Sequence, residues 1–211
     1  MGHRYRQGEH ICGLYETKAE QVEIAADYLA DGLRAGERAF YVAESDAALG
    51  RFRAALKQVG IDVSSVIRQD ALVELTHAEA HLFDGVFNTE RMIGFLNDSV
   101  EAALNDGFTG LRACGDMSWL LQDAPGADQV VEYEALLNQF FHHARGAAMC
   151  QYDRRRLPAE LIDHALATHT SAVLEGRHRP NPFYLPPSIA ITRKARPSLL
   201  TWKISELRRR S

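Results

Sequence analysis

No apolar run in this 211-residue chain is long enough to cross a bilayer, and the opening stretch Met1 to Glu9 is polar and charged. Neither a spanning helix nor a secretory leader is expected. Cysteine is sparse, at three residues, an odd number; this argues against a disulfide framework and for reduced thiols in the cytoplasm. No Cys-x-x-Cys pair supplies metal-ligand spacing. No Gly-x-Ser-x-Gly elbow, and no nucleophile with a base beside it in sequence, points to covalent catalysis. Glycine is missing where it would matter most. The segment His10 to Leu29 reads as a buried strand, a short turn and an amphipathic helix. In a nucleotide-binding α/β domain that turn is glycine-rich, with a lysine and a hydroxyl for phosphate. Here it is Tyr15-Glu16-Thr17-Lys18-Ala19, and Gly13 still lies inside the strand. Such a turn cannot wrap a phosphate, and Glu16 would repel one. The site is expected to serve another ligand.

What remains is ample for a core: 46% of residues are hydrophobic, enough for one α/β domain with a short appendage. The net charge of −4 conceals an asymmetry. From Arg193 to Ser211 seven basic residues face one acid, a net of +6, so the rest of the chain carries −10. An acidic body is a poor binder of nucleic acid, and no membrane contact is expected of it. The basic tail reads first as solvated chain and second as a contact for an acidic partner or nucleic acid.

Strand and helix signals alternate, which argues for a three-layer α/β/α sandwich with a mainly parallel sheet. Strands are expected at His10–Tyr15, Ala39–Ala43, Leu72–Thr76, Gly110–Gly115, Ala147–Tyr152 and Ala172–Glu175. Helices are expected at about 19–35, 46–59, 89–105 and 130–144, and from Pro158 to about Leu166. The proline-rich stretch Arg179–Pro187 is expected to leave the sheet. Beyond it the chain reads as a linker, residues 188–211, ending in an amphipathic piece, Leu199–Arg208.

Ligands of open α/β sheets collect at the carboxyl ends of the strands. The polar residues there are His10, Cys12 and Tyr15 on the first strand, Glu44 after the second, and His77 and His81 after the third. The fourth contributes Arg112, Cys114, Asp116 and Trp119, and the fifth Cys150, Tyr152 and Asp153. Each cysteine reads first as a small buried hydrophobe, with a shared metal as the alternative, and no metal ligand set is assigned. Arg112, inside an apolar strand, requires a partner. Glu44, Asp116, Asp153 or an anionic ligand could supply it, and a structural ion pair is the first reading. Met117, Trp119, Phe83 and Phe87 could line an apolar pocket, whereas Tyr133 and Phe140 read as core. His142 and His143 suit a helix end; His164 and His169 read as surface residues.

Six blocks, HICGLY, GERAFYV, GFTGLRACGDMSW, EYEALLN, MCQYDRR and GRHRPNPFYLPP, together resemble the MEDS (methanogen/methylotroph sensory) domain, over residues 9–187. The resemblance implies a KaiC/RecA-like fold without the Walker A loop. It also implies a cytoplasmic sensor of small molecules, such as simple hydrocarbon derivatives, within a signalling or transcription-regulating system. A protein partner or output domain follows from it; a homodimer is kept as an option because signalling domains often pair. A RecA-like strand order would place the fifth strand between the first and fourth, setting Cys12, Cys150 and Cys114 on adjacent strands. By resemblance, the ligand site is expected among His10, Cys12, Tyr15, Arg112, Trp119, Cys150, Tyr152 and Asp153; the strand ends add Glu44 and Cys114. No enzymatic activity is expected and no cofactor is assigned. Two other readings stand beside this one. One is a residual nucleotide-binding or ATPase-like protein, with Glu44 where a RecA-like fold places its water-activating carboxylate. The other is a protein-binding regulator acting through the basic tail.

Overall fold

The chain is represented by a computed structural model that describes residues 5–209; Met1 to Arg4, and Arg210 and Ser211 of the basic tail, lie outside the described residues. Seven strands form one sheet: β1 (His10–Tyr15), β2 (Arg38–Ala43), β3 (Leu72–Thr76), β4 (Leu111–Asp116), β5 (Gly146–Asp153), β6 (Ser171–Leu174) and β7 (Arg177–Pro180). Their order is β3-β2-β4-β5-β1-β6-β7, and all neighbours are parallel except β6 and β7. The central strands β1, β2 and β5 are buried at every position, as expected of a sheet covered on both sides.

Helices α1 (Lys18–Arg34), α2 (Asp46–Gln58) and α3 (Val63–Arg68) cover one face. On the other lie α4 (Thr89–Asn105), α5 (Val130–His143) and α6 (Ala159–Thr168), joined by the tail helix α8 (Leu200–Arg209) through Ile204 and Leu207. A short turn of helix, α7 (Pro187–Ala190), connects β7 to the tail.

The start of α1 is capped by its own side chains. Thr17 Oγ1 accepts from the Glu20 amide at 3.2 Å, and the Glu20 carboxylate accepts from the Glu16 amide at 2.8 Å. The chain's own side chains thus occupy donors that a phosphate would need.

Register decides which residues meet. The sheet places β5 between β1 and β4, and Cys12 is the direct partner of Cys150. Cys114, however, is opposite Met149 and points to the other face. The three cysteines occupy adjacent strands, but only two share a side.

The stretch from Arg179 does not leave the sheet at once. Arg177–Pro180 returns antiparallel to β6 across a two-residue turn, Glu175-Gly176, in which both residues have positive φ (55° and 68°). That is the hairpin geometry that suits two twisted strands. Proline is tolerated because β7 is the sheet edge and Pro180 its last residue.

Candidate functional site

Four polar side chains from separate parts of the chain meet between the sheet and α5. They are His10 at the start of β1, Glu134 on α5, Cys150 in the middle of β5, and His169 between α6 and β6. One donor atom from each lies within 4.8 Å of all the others, and all four residues are buried. Glu134 Oε2 is 3.1 Å from Nε2 of both His10 and His169, and the Cys150 sulfur is 3.5 Å from His10 Nε2. The His169 ring is held from behind, with Nδ1 2.7 Å from the Ala165 carbonyl and 3.1 Å from Thr168 Oγ1. Asn138, one turn beyond Glu134 on α5, donates to the Thr168 carbonyl at 2.6 Å and so fixes the end of α6.

Burial, reinforced by the neighbouring His169, pushes His10 down to about 4. For Glu134 burial alone would raise the pKa, but His169 and His10 outweigh it and hold the carboxyl far below the usual range. Burial and then Glu134 raise the thiol of Cys150, and likewise the phenol of Tyr152 on the same face.

Sequence reasoning selected His10, Cys12, Cys150 and Tyr152 from this region but missed Glu134. Glu134 interrupts an apolar stripe, Val130, Tyr133, Leu137 and Phe141, on a buried helix face, and that interruption was the available signal. His169, expected at the surface, is fully buried. It follows α6 directly and its ring turns inward beneath α5, where Nδ1 meets the Ala165 carbonyl and Nε2 faces Glu134 at 3.1 Å.

Towards the carboxyl ends of the strands, on the same face, three rings stack. Trp119 packs on Phe87 at 4.6 Å and on His81 at 5.6 Å, with interplanar angles near 20°. His81 sits over Gly115, where a β-carbon would lie 3.2 Å from its Cε1. His77 and His81 stand four residues apart in a loop, their ring centroids 5.9 Å apart. Burial, and then His77, pushes His81 down to about 3. The indole nitrogen of Trp119 and Nδ1 of His81 are buried without a hydrogen-bond partner. Phe83, by contrast, is half exposed.

Two small, partly open pockets flank the four-residue cluster. One, of about 30 Å³, is lined by Phe40, His81, Met92, Ala113, Tyr133 and Cys150, among others. The other, of about 10 Å³, is bordered by Glu134, Tyr152 and His164.

Residues 9–170 match the sequence model of the MEDS domain, the methanogen/methylotroph, DcmR sensory domain. The chain belongs to the MEDS family. The matched region is accordingly a sensory domain. The chain is also 28% identical, over 162 residues, to the transcriptional repressor DcmR of Methylorubrum extorquens. That alignment takes in 76% of this chain and 58% of the repressor, so the chain spans little more than half the length of that relative. A KaiC-like protein of Pyrococcus horikoshii OT3 superposes with a TM-score of 0.53 at 12% identity, covering 79% of this chain and 70% of that one; the shared fold is KaiC-like.

The other candidate residues of this MEDS domain lie apart from the cluster. Arg112 and Cys114 face α1, on the opposite side of the sheet. The partner of Arg112 is none of the expected carboxylates but Glu37, whose Oε2 accepts from Nε at 2.6 Å. Tyr15 donates to Asp116 at 3.3 Å, and Asp116 also accepts from the Ser118 amide and hydroxyl. Asp153 accepts from the amides of Arg155 and Arg156 and shapes the turn after β5. Glu44, partly exposed, pairs with Lys18 at 3.0 Å and Arg51 at 3.5 Å. Apart from Cys114, which is packed in the core on that side, each therefore has a structural partner within the domain. Among the described residues no helix is long and apolar enough to cross a membrane.

Proposed function

We propose that this MEDS domain is a cytoplasmic receptor for a small organic molecule, such as a simple hydrocarbon derivative. The ligand enters between the sheet and helices α4 and α5, next to Cys150, and the complex signals to an output partner. The observation that carries this reading is the apolar cavity bordered by His81, Tyr133 and Cys150. It is buried and polarisable, and the orphaned Trp119 and His81 nitrogens near it have hydrogen bonds to offer. At about 30 Å³ it suits compounds of one or two carbons, or slightly larger ones if α4 yields.

A receptor role rather than nucleotide chemistry is supported at the first turn of α1, where the side chains of Thr17 and Glu20 already occupy backbone donors. Glu44 is tied to two cations and so is poorly placed to activate water.

Trp119 provides the readout once the other tryptophan is removed. A Trp202→Phe variant should show a saturable change in fluorescence, and a raised melting temperature, with one or more compounds from a panel of short alcohols, amines and halomethanes. Ala113→Val, which fills the cavity, should weaken that response at least about tenfold. A response of equal affinity in Ala113→Val would rule out this cavity as the site. No response to any member of the panel, alongside tight Mg-ATP binding in calorimetry, would favour the nucleotide reading.

A further inference from the structure

We propose that His10, Glu134, Cys150 and His169 form a four-ligand site for a divalent transition-metal ion, with zinc the ion this donor set suits best. Two imidazoles, one carboxylate and one thiolate combine borderline and soft donors. Magnesium and calcium sites are built instead from oxygen. The proposal is independent of the sensory reading and would stand if no organic ligand were found.

Geometry is the first argument. Around a tetrahedral zinc ion, bond lengths of about 2.0–2.3 Å set neighbouring donor atoms roughly 3.3–3.6 Å apart. The closest contacts here are 3.1, 3.1 and 3.5 Å, and all four donors fall within 4.8 Å of one another. A hydrogen-bonded cluster would instead place a hydrogen along each short contact. Neither oxygen of Glu134, nor Nε2 of His169, has a partner in hydrogen-bonding alignment, although all are buried. Unmatched polar atoms converging in a dry interior are expensive, and a cation at their centre removes that cost.

The surroundings and the charge agree. His169 Nδ1 lies 2.7 Å from the Ala165 carbonyl. A hydrogen on Nδ1 leaves the Nε2 lone pair facing the cluster, the arrangement usual for a metal-bound histidine. On loading, the Cys150 thiol gives its proton to solvent and the metal–sulfur bond forms, with no change of oxidation state. The thiolate and the Glu134 carboxylate then supply two negative charges to a dication, and with neutral histidines the buried site has no net charge. Mechanically, the ion would tie β1, β5, α5 and the end of α6 to one point. Cys150 and Glu134 border the two cavities on either side of it.

The test uses the whole chain, expressed in zinc- or cobalt-supplemented minimal medium and purified without chelator. Mass spectrometry measures metal content, and absorption is recorded on the cobalt form. The expected result is about one ion per chain. The cobalt protein should show a thiolate-to-cobalt charge-transfer band and the intense visible bands of four-coordinate cobalt. Cys150→Ser, a nearly isosteric change, should abolish the charge-transfer band. His169→Ala and Glu134→Gln should lower metal content at least about tenfold. Cys12→Ser should keep both metal and band, because Cys12 shares the face but supplies no donor to the set. Metal-free wild-type protein from both media would overturn the proposal without reference to any variant. So would an unchanged cobalt spectrum in Cys150→Ser, or unchanged metal content in a His169→Ala protein with native circular dichroism.

Discussion

Arg112 is a guanidinium enclosed between the sheet and α1. Its Nε meets Glu37 at 2.6 Å, its charge lies 5.0 Å from the Tyr28 ring centre, and Nη2 donates to the Tyr5 carbonyl at 3.4 Å. Gly32 makes room for the pair: a β-carbon there would stand 2.8 Å from Arg112 Cβ and from Glu37 Oε2. Because both partners are buried, removing one charge strands the other. Glu37→Gln should lower the unfolding free energy by about 3–5 kcal/mol in urea titration. The double change Glu37→Met with Arg112→Met should recover much of the loss, since two apolar chains of similar length need no pairing. A small effect in the single variant would mean that water reaches the pair. The need for a partner at Arg112 was legible in the sequence, because a guanidinium in an apolar strand must be neutralised. Which carboxylate answers was not: Glu37 is 75 positions away and comes alongside only because Arg38 registers with Leu111 across β2 and β4. His169 and Glu134 were obscured for the same reason, since each acquires its surroundings from strands distant in sequence.

At the scale of elements, the basic tail is the clearest departure from a solvated terminus. Asp163 on α6 is fully buried and gathers the tail around itself. It accepts from Lys203 at 2.6 Å and the Arg196 amide at 2.7 Å, and pairs with Arg193. Lys203 also lies 5.2 Å from the Phe183 ring, while Ile204 and Leu207 enter the core. Burial of Asp163 would raise its pKa, but the Arg196 amide, Lys203 and Arg193 outweigh that and lower it below 3.8. A depressed carboxyl contributes stability that is fully present above its unfolded value and fades as pH falls through the folded one. The tail should therefore stay docked at neutral pH and loosen below about pH 4. Hydrogen exchange of α8 amides, compared at pH 6 and pH 3 after correction for intrinsic rates, would show it. Asp163→Asn should release the tail at neutral pH, so that trypsin cuts after Lys194 or Lys203 at least about tenfold faster. Equal cleavage rates would mean that apolar contacts alone hold α8. The amphipathic spacing of Leu199–Arg208 was readable in the sequence. Its anchor was not, because an aspartate within α6 reads as an ordinary exposed helix position.

For the whole molecule, the alternation of buried strands and capped helices was enough to indicate a layered, mostly parallel sheet, since that pattern is set locally. The antiparallel edge was harder to see: β7 is short and polar, and its hairpin depends on backbone angles at Glu175 and Gly176. The assembled sheet has two cores, one on each face, and the cysteines sample both. Cys12 and Cys150 lie under α5 and α6, and Cys114 lies against α1 and α2. Burial first, with Glu134 adding to it at Cys12 and Cys150 and Asp116 at Cys114, raises all three thiols well above their ordinary value. Native protein at neutral pH should therefore be almost inert to a disulfide reagent such as Ellman's. Because β1, β4 and β5 serve both cores, neither face can open far without the strands that support the other. Labelling should then follow global unfolding, and Cys114 in a Cys12→Ser, Cys150→Ser background should react at the rate at which Cys12 reacts when it is the sole cysteine. The measurement is thiol release against time in a series of urea concentrations below the midpoint. Matching rates would make the two layers one cooperative unit. If the thiol under α5 and α6 reacted well ahead of Cys114, that layer would be opening on its own, and the two faces would not be one cooperative unit.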